Sequence, residues 1–116
     1  MGDYRKLEVW KRACALSDRI DDLVQTLPRR VQFRLGDQLE RAADSIHLSI
    51  AEGCGLNSDA QLAKYVRIAL GSLNELESGL LKLDRRGLLS PEFRDLLDDT
   101  ASLRNQLGAL LKRLTD

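Results

Sequence analysis

Apolar residues recur along the chain at the three- and four-residue steps of helices. Leu62, Val66, Ala69, Leu73, Leu76, Leu80 and Leu83 alternate steps of four and three without a break. That heptad pattern keeps one face of a helix apolar, and it predicts a helix over 58–86. Leu96, Thr100, Leu103, Leu107, Leu110 and Leu114 repeat it and predict a helix over 91–114. Toward the N-terminus, Leu7, Trp10, Cys14, Ser17, Ile20, Val24 and Leu27 trace one stripe of a helix over 4–27, which Pro28 stops. Leu35, Leu39, Ala42, Ile46 and Ile50 mark a helix over 35–52, leaving 29–34 as a basic connector. The boundaries carry capping chemistry. Ser58 with Gln61 matches a capping box. Gly53 and Gly55 are read as left-handed C-caps, and Gly87 as the end of the third helix. Ser90-Pro91-Glu92 reads as a capped start of the fourth. Four helices with short connections predict an all-α, up-down-up-down antiparallel bundle, one domain over 1–116.

Some apolar and small residues exceed what one stripe per helix needs. Leu48, Ile68, Leu70 and Leu81 widen the apolar surface of the second and third helices. An extra apolar face in a small bundle points to a subunit interface, so a homo-oligomer is expected. Residues 45–55 and 68–77 mix Ala, Ser and Gly with large aliphatic residues. This predicts a close crossing of these two helices, with Gly71 at the contact.

Charge adds little direction at this level. The 18 basic and 18 acidic residues cancel, and they stay nearly balanced along the chain. Such balance weighs against strong non-specific nucleic-acid binding, which draws on phosphate neutralisation. Cys14 and Cys54 sit among small or apolar neighbours and read as buried reduced thiols rather than a disulfide or metal ligands. The N-terminus has no hydrophobic signal region and no apolar run reaches membrane-spanning length, so a cytoplasmic protein without a membrane partner is expected.

Candidate chemistry is sparse. His47 is the only histidine, with no partners at metal or acid–base spacing, so no metal, cofactor or catalytic residue is expected. Asp21-Asp22 and Asp98-Asp99 are adjacent and point about 100° apart on a helix, so neither forms an acid–base dyad. Ser45, Ser49 and Ser72 lack a histidine partner and read as small packing residues bonded back to helix carbonyls. Glu52 lies in the last turn of its helix, where the dipole disfavours an anion. A pairing with Lys64, Arg67 or Arg41, or with backbone N–H groups, is expected. Arg29, Arg30 and Arg34 form the best candidate cluster for phosphates, with Arg41 and Arg67 as further candidates. Phe33 among them is expected to anchor the connector in the core, with stacking on a base as the alternative.

Three motifs together carry a resemblance. They are Gln38-Leu39-x-Arg41-Ala42-Ala43-x-Ser45-Ile46, then Ile50-Ala51-Glu52-Gly53-x-Gly55, then Tyr65-x-x-Ile68-Ala69-x-Gly71-Ser72-Leu73-x-Glu75-Leu76. With Leu7-x-x-Trp10-x-x-Ala13 ahead of them, the chain resembles the 23S rRNA intervening-sequence proteins, the bacterial S23 family. The resemblance implies a four-helix bundle assembled into a ring, typically a homopentamer with a central channel. It also links the chain to accessory proteins of diversity-generating retroelements, basic pentamers that bind nucleic acid and a reverse transcriptase. The chain departs from the usual pattern at Glu40, Ser49 and Leu56, each time with less polar or positive character. The expected function is a non-enzymatic oligomeric adaptor for RNA or a nucleoprotein. The alternative is a scaffold for a protein partner with no nucleic-acid binding.

Overall fold

A computed structural model describes residues 2–116, an elongated bundle of 43 × 20 × 19 Å. Among the described residues there are helices and turns and no strand. After a 3-10 turn at Tyr4–Lys6, α1 spans Glu8–Thr26. A helical turn at Arg29–Val31 runs through a π-helical stretch, Gln32–Gly36, into an α-helix over Asp37–Cys54. These three pieces form one continuous rod, α2. The third helix, α3, spans Asp59–Arg85, and α4 spans Leu96–Thr115 after a 3-10 turn at Pro91–Phe93.

Consecutive helices run antiparallel, as their cross-links show. Val24 of α1 lies against Gly36 of α2, while Ser17 donates to Asp44 at 2.7 Å further up the same pair. Between α2 and α3, Leu39 meets Gly79 at one end and Gly53 meets Tyr65 at the other. Asp84 of α3 pairs with Arg94 just ahead of α4, and Glu77 of α3 with Arg104 of α4 at 3.0 Å. Arg19 closes the square by holding Asp95, the N-cap of α4, at 2.8 Å and Asp99 in its first turn at 3.1 Å. The α2–α3 pair has the most extensive packing and the α1–α4 seam the least.

Every residue of the α3 heptad stripe, Leu62 to Leu83, is buried. So are Leu39, Ala42, Ile46 and Ile50 of α2, and Leu96, Thr100, Leu103 and Leu107 of α4. Along α1, Ser17, Ile20, Val24 and Leu27 of the expected stripe are buried, with Ala13, Leu16 and Leu23 beside them, whereas Leu7, Trp10 and Cys14 toward its start are half-buried. Trp10 packs edge-on against Tyr4, with ring centroids 5.2 Å apart.

Several expectations are corrected. The basic connector over 29–34 does not exist as a loop, because α2 begins at Arg29 and not at Leu35. Pro28 acts as the residue before a new helix, where its missing N–H costs nothing. Asp37 N–H reaches back to the Gln32 carbonyl, the five-residue step of a π-turn. Gly53 is helical and Gly55, the residue capping α2, has φ −73, so neither is a left-handed cap; Asn57 takes that role with φ 57. Gly87, with φ 70, does end α3 as expected. Ser58 Oγ accepts from Gln61 N–H at 3.1 Å, as the capping box requires. Ser90 makes no such side-chain cap, and the fourth α-helix starts only at Leu96.

Gly71 also differs from its expected place. A Cβ built there would meet nothing within 4 Å, so it is not at the α2–α3 contact. The close approaches belong to Gly53, where a Cβ would lie 2.6 Å from Tyr65 Cβ, and Gly79, where it would lie 2.5 Å from Leu39 Cδ2.

Candidate functional site

Helical periodicity aligns a set of α2 and α3 residues on one outward face. On α2, Arg30, Arg34, Gln38, Arg41, Ser45, Leu48 and Glu52 follow one another at three- and four-residue steps. On α3, Arg86, Lys82, Ser78, Glu75, Ser72, Ile68 and Lys64 do the same in the opposite direction. The antiparallel pairing brings the two rows level. Ser72 Oγ donates to Ser45 Oγ at 2.8 Å in the middle of the face. These hydroxyls link the two helices instead of bonding back to their own carbonyls, which corrects the expectation for Ser45 and Ser72. Ser49 is buried.

One half of this face is apolar. Leu48 is 59% exposed and Ile68 43% exposed, each one helical turn from the Ser45–Ser72 contact and on the same side of it. Leaving large aliphatic side chains in water forfeits roughly 1.5–3 kcal/mol apiece relative to burying them. Gly71 beside them presents open backbone. Leu81 is exposed but lies on a different flank of α3. Glu52 is exposed, and among the described residues no cation lies within ion-pair distance of it. Its expected partner Lys64 instead sits 5.7 Å from the Tyr65 ring centroid. The expected neutralisation within the protomer is therefore absent among the described residues.

The other half is cationic. Arg30, Arg34, Lys82 and Arg86 line a groove of about 210 Å³ between the start of α2 and the end of α3. Adjoining hollows share Arg34 or Lys82 and run on past Gln38 and Ser78 to Glu75. Sequence reading singled out Arg30 and Arg34 but missed Lys82 and Arg86. The signal was present: Lys82 and Arg86 are four residues apart, as are Arg30 and Arg34, but only the antiparallel pairing makes the two pairs face each other. Phe33 is 66% exposed, not buried in the core, and the Arg29 guanidinium lies 5.8 Å from its ring centroid. Arg41 is on the same face nearer its centre. Arg67 lies beyond the Ser45–Ser72 contact in the opposite half, so the structure does not join it to the Arg29–Arg34 cluster.

Among the described residues, Arg29, Arg30, Arg34, Arg41, Arg67, Arg85, Arg86 and Arg113 pair with no carboxylate, and the other arginines do. Arg5, Arg12, Arg19, Arg94 and Arg104 each hold a carboxylate. Hydrogen bonding to Arg19 holds the Asp95 carboxyl below its ordinary range, and the Asp84 carboxylate raises the pKa of Arg94 in the same way. Among the described residues, Arg30, Arg34, Lys82 and Arg86 have no carboxylate within 4 Å. The acid closest in sequence, Asp84, is taken by Arg94.

The remaining candidate chemistry is structural. His47 Nε2 lies 3.6 Å from Asp44 Oδ1, and Asp44 also accepts from Ser17. Among the described residues no three His, Cys, Asp or Glu side chains gather as a metal site. Cys14 is half-buried and its thiol pKa is pushed up by burial, then by Asp18. Cys54 is buried with its sulfur 3.5 Å from the Gly2 carbonyl. No helix among the described residues is long and apolar enough to cross a membrane.

The family-motif residues sort by what they touch. Ile50 and Gly53 are buried, Ala51 is half-buried, and Ser45 and Ser72 bridge α2 and α3, while Arg41, Glu52, Gly55, Gly71 and Glu75 are exposed. Comparison with curated proteins yields no match. The profile of the 23S rRNA-intervening sequence proteins matches residues 5–109. With that match spanning all four helices, the chain belongs to the 23S rRNA-intervening sequence protein family.

Proposed function

We propose that the protein is a non-enzymatic, self-assembling adaptor for RNA or a ribonucleoprotein, with the apolar half of the α2–α3 face as its contact with a second copy of the chain. The observation that carries self-assembly is the exposure of Leu48 and Ile68 beside the Ser45–Ser72 contact. A second copy suits this face better than an unrelated partner. The face carries Arg41 and Lys64 as well as Glu52 and Glu75, so a neighbour presenting the same residues supplies both signs of charge. Pairing Glu52 with a neighbour's cation would offset its unfavourable place at the negative end of α2. The resemblance drawn from the motifs makes the assembly a ring, a homopentamer. The RNA side of the reading rests on the cations at the opposite end of the same face.

The test is the mass in solution, by light scattering and sedimentation, of the parent and of Leu48→Glu and Ile68→Glu. The parent is expected at several times 13.0 kDa, and each variant at the monomer mass with its helical circular dichroism kept. A parent that stays monomeric at micromolar concentration, or variants that assemble as the parent does, would rule out this face. The zero net charge favours a second reading, a scaffold for a protein partner without nucleic-acid binding. It predicts an assembled parent with no affinity for RNA at low salt.

A further inference from the structure

We infer that the groove lined by Arg30, Arg34, Lys82 and Arg86 is a binding site for the phosphate backbone of single-stranded RNA, with Phe33 as the stacking platform for a base. This rests on the reading of the protein as an RNA adaptor and gives it a site and a strand preference.

Three independent observations converge on the groove. Its four cations come from two helices and none is neutralised by a carboxylate among the described residues, whereas the arginines at the other helix seams are paired. Charge balance in the whole chain hides this segregation. Arg29 and Arg30 also occupy the first turn of α2, the positive end of its dipole, where a cation is disfavoured. A bound anion reverses that penalty, because helix N–H groups and side chains then act on the same charge. Lastly, Phe33 stands exposed beside the groove rather than in its lining, three residues along the helix from Arg30, with Arg29 against its ring.

The aromatic ring decides between strands. In a duplex the bases are stacked on each other and cannot reach a side chain, whereas an unpaired base can stack on Phe33. Arginine and aromatic side chains side by side are how sequence-tolerant single-strand sites combine backbone neutralisation with stacking. Glu75, where the adjoining hollows end, limits the cationic stretch to a few phosphates. One groove alone therefore binds weakly. An assembly presents one groove per protomer, and a strand spanning two of them gains from effective concentration.

The experiment is a titration of the assembled protein against a labelled uridine oligonucleotide, at a series of salt concentrations. A duplex of matched length and a polyglutamate of similar charge serve as comparison ligands. The parent is expected to prefer the single strand, with affinity falling steeply as salt rises. The variant Arg30→Ala/Arg34→Ala/Lys82→Ala/Arg86→Ala should lower the log–log salt slope by about 3, since each phosphate that a side chain neutralises adds about 0.7 to it. Phe33→Ala should weaken single-strand binding roughly tenfold and leave the salt slope unchanged. The control Lys11→Ala/Lys112→Ala, on α1 and α4 away from the groove, should keep the parent's slope to within about 0.7. All of these side chains are exposed, so folding should survive, and circular dichroism and light scattering check it. If RNA binds but the groove variant matches the parent, the groove is wrong while the adaptor reading stands. Equal affinity for duplex, or no effect of Phe33→Ala, overturns the single-strand assignment. Tighter binding of polyglutamate than of RNA, or no RNA binding at low salt, overturns the adaptor reading and the groove with it.

Discussion

Glycine shows how much a single residue's role depends on where its missing Cβ would point. Gly53 and Gly71 both sit within helices rich in small residues, and both belong to the motifs that carry the resemblance. At Gly53 an added Cβ would lie 2.6 Å from the Tyr65 Cβ, an atom tied to the α3 backbone that cannot swing away. Gly53→Ala should therefore destabilise the fold by about 1–3 kcal/mol, a typical overpacking cost. Gly71 has open space and a helical conformation, so Gly71→Ala should leave the fold unharmed or stabilise it by about 0.5–1 kcal/mol. Urea melts of both variants check the contrast. A larger loss at Gly71 than at Gly53 would show that this packing account is wrong. Glu40 offers a test through pH. It lies among Asp21, Asp37 and Asp44, and its pKa is raised by burial first, then by a hydrogen bond and repulsion from Asp21, then by Asp37 and Asp44. A raised folded-state pKa means the contribution of Glu40 to stability is fully present below the ordinary glutamate range. It is lost as pH climbs through the raised value. Glu40→Gln should thus raise the Tm near neutral pH, and the gain should fade in acid. A gain that instead grows as pH falls would reverse the assigned sign.

At the scale of the element, heptad spacing proved sufficient for α3, where all seven stripe residues from Leu62 to Leu83 are buried. A long uninterrupted repeat with a capping box leaves little alternative to one helix. The start of α2 was harder to read. Pro28 followed by two arginines suggests a break, since cations are disfavoured in a first helical turn. Yet residues 29–35 contain none of the Gly, Ser, Asn or Asp that loops favour, and tertiary packing of Val31 and Leu35 completes the helix. The extra residue of the π-turn is tolerated because Gly36 lets α2 approach Val24 of α1. Gln32 Nε2 also donates to the Leu27 carbonyl at 2.8 Å, satisfying a group that the end of α1 leaves open. Gln32→Ala should cost about 1 kcal/mol, measured by thermal denaturation. An unchanged Tm would mean that water replaces this cap without loss.

For the whole molecule, the α2–α3 face joins an apolar half and a cationic half that a charge count cannot separate. The proposed second copy would cover the apolar half, and the proposed RNA strand the cationic half. The substitutions at Leu48 and Ile68 test the first half, and those at Arg30, Arg34, Lys82 and Arg86 the second. The two halves should also be coupled in use. Dissociating the assembly with Leu48→Glu should weaken binding of a long RNA more than that of a short one, because only the long strand bridges grooves. Equal weakening for both lengths, in the same salt series, would mean that each protomer binds alone.

The amino-acid sequence by itself determined the helical class, the number of helices, the buried stripes of α3 and α4 and the family. These follow from periodicity and motif order, which are local properties of the chain. It also held the excess of apolar residues on α2 and α3, because Leu48 and Ile68 do not fit a single buried stripe. The tertiary structure alone decided which glycines separate helices and which stand open. It placed Ser45 against Ser72, paired one set of arginines and left another facing a groove. Such outcomes depend on distances between residues far apart in sequence, which the antiparallel packing sets and a one-dimensional pattern does not contain.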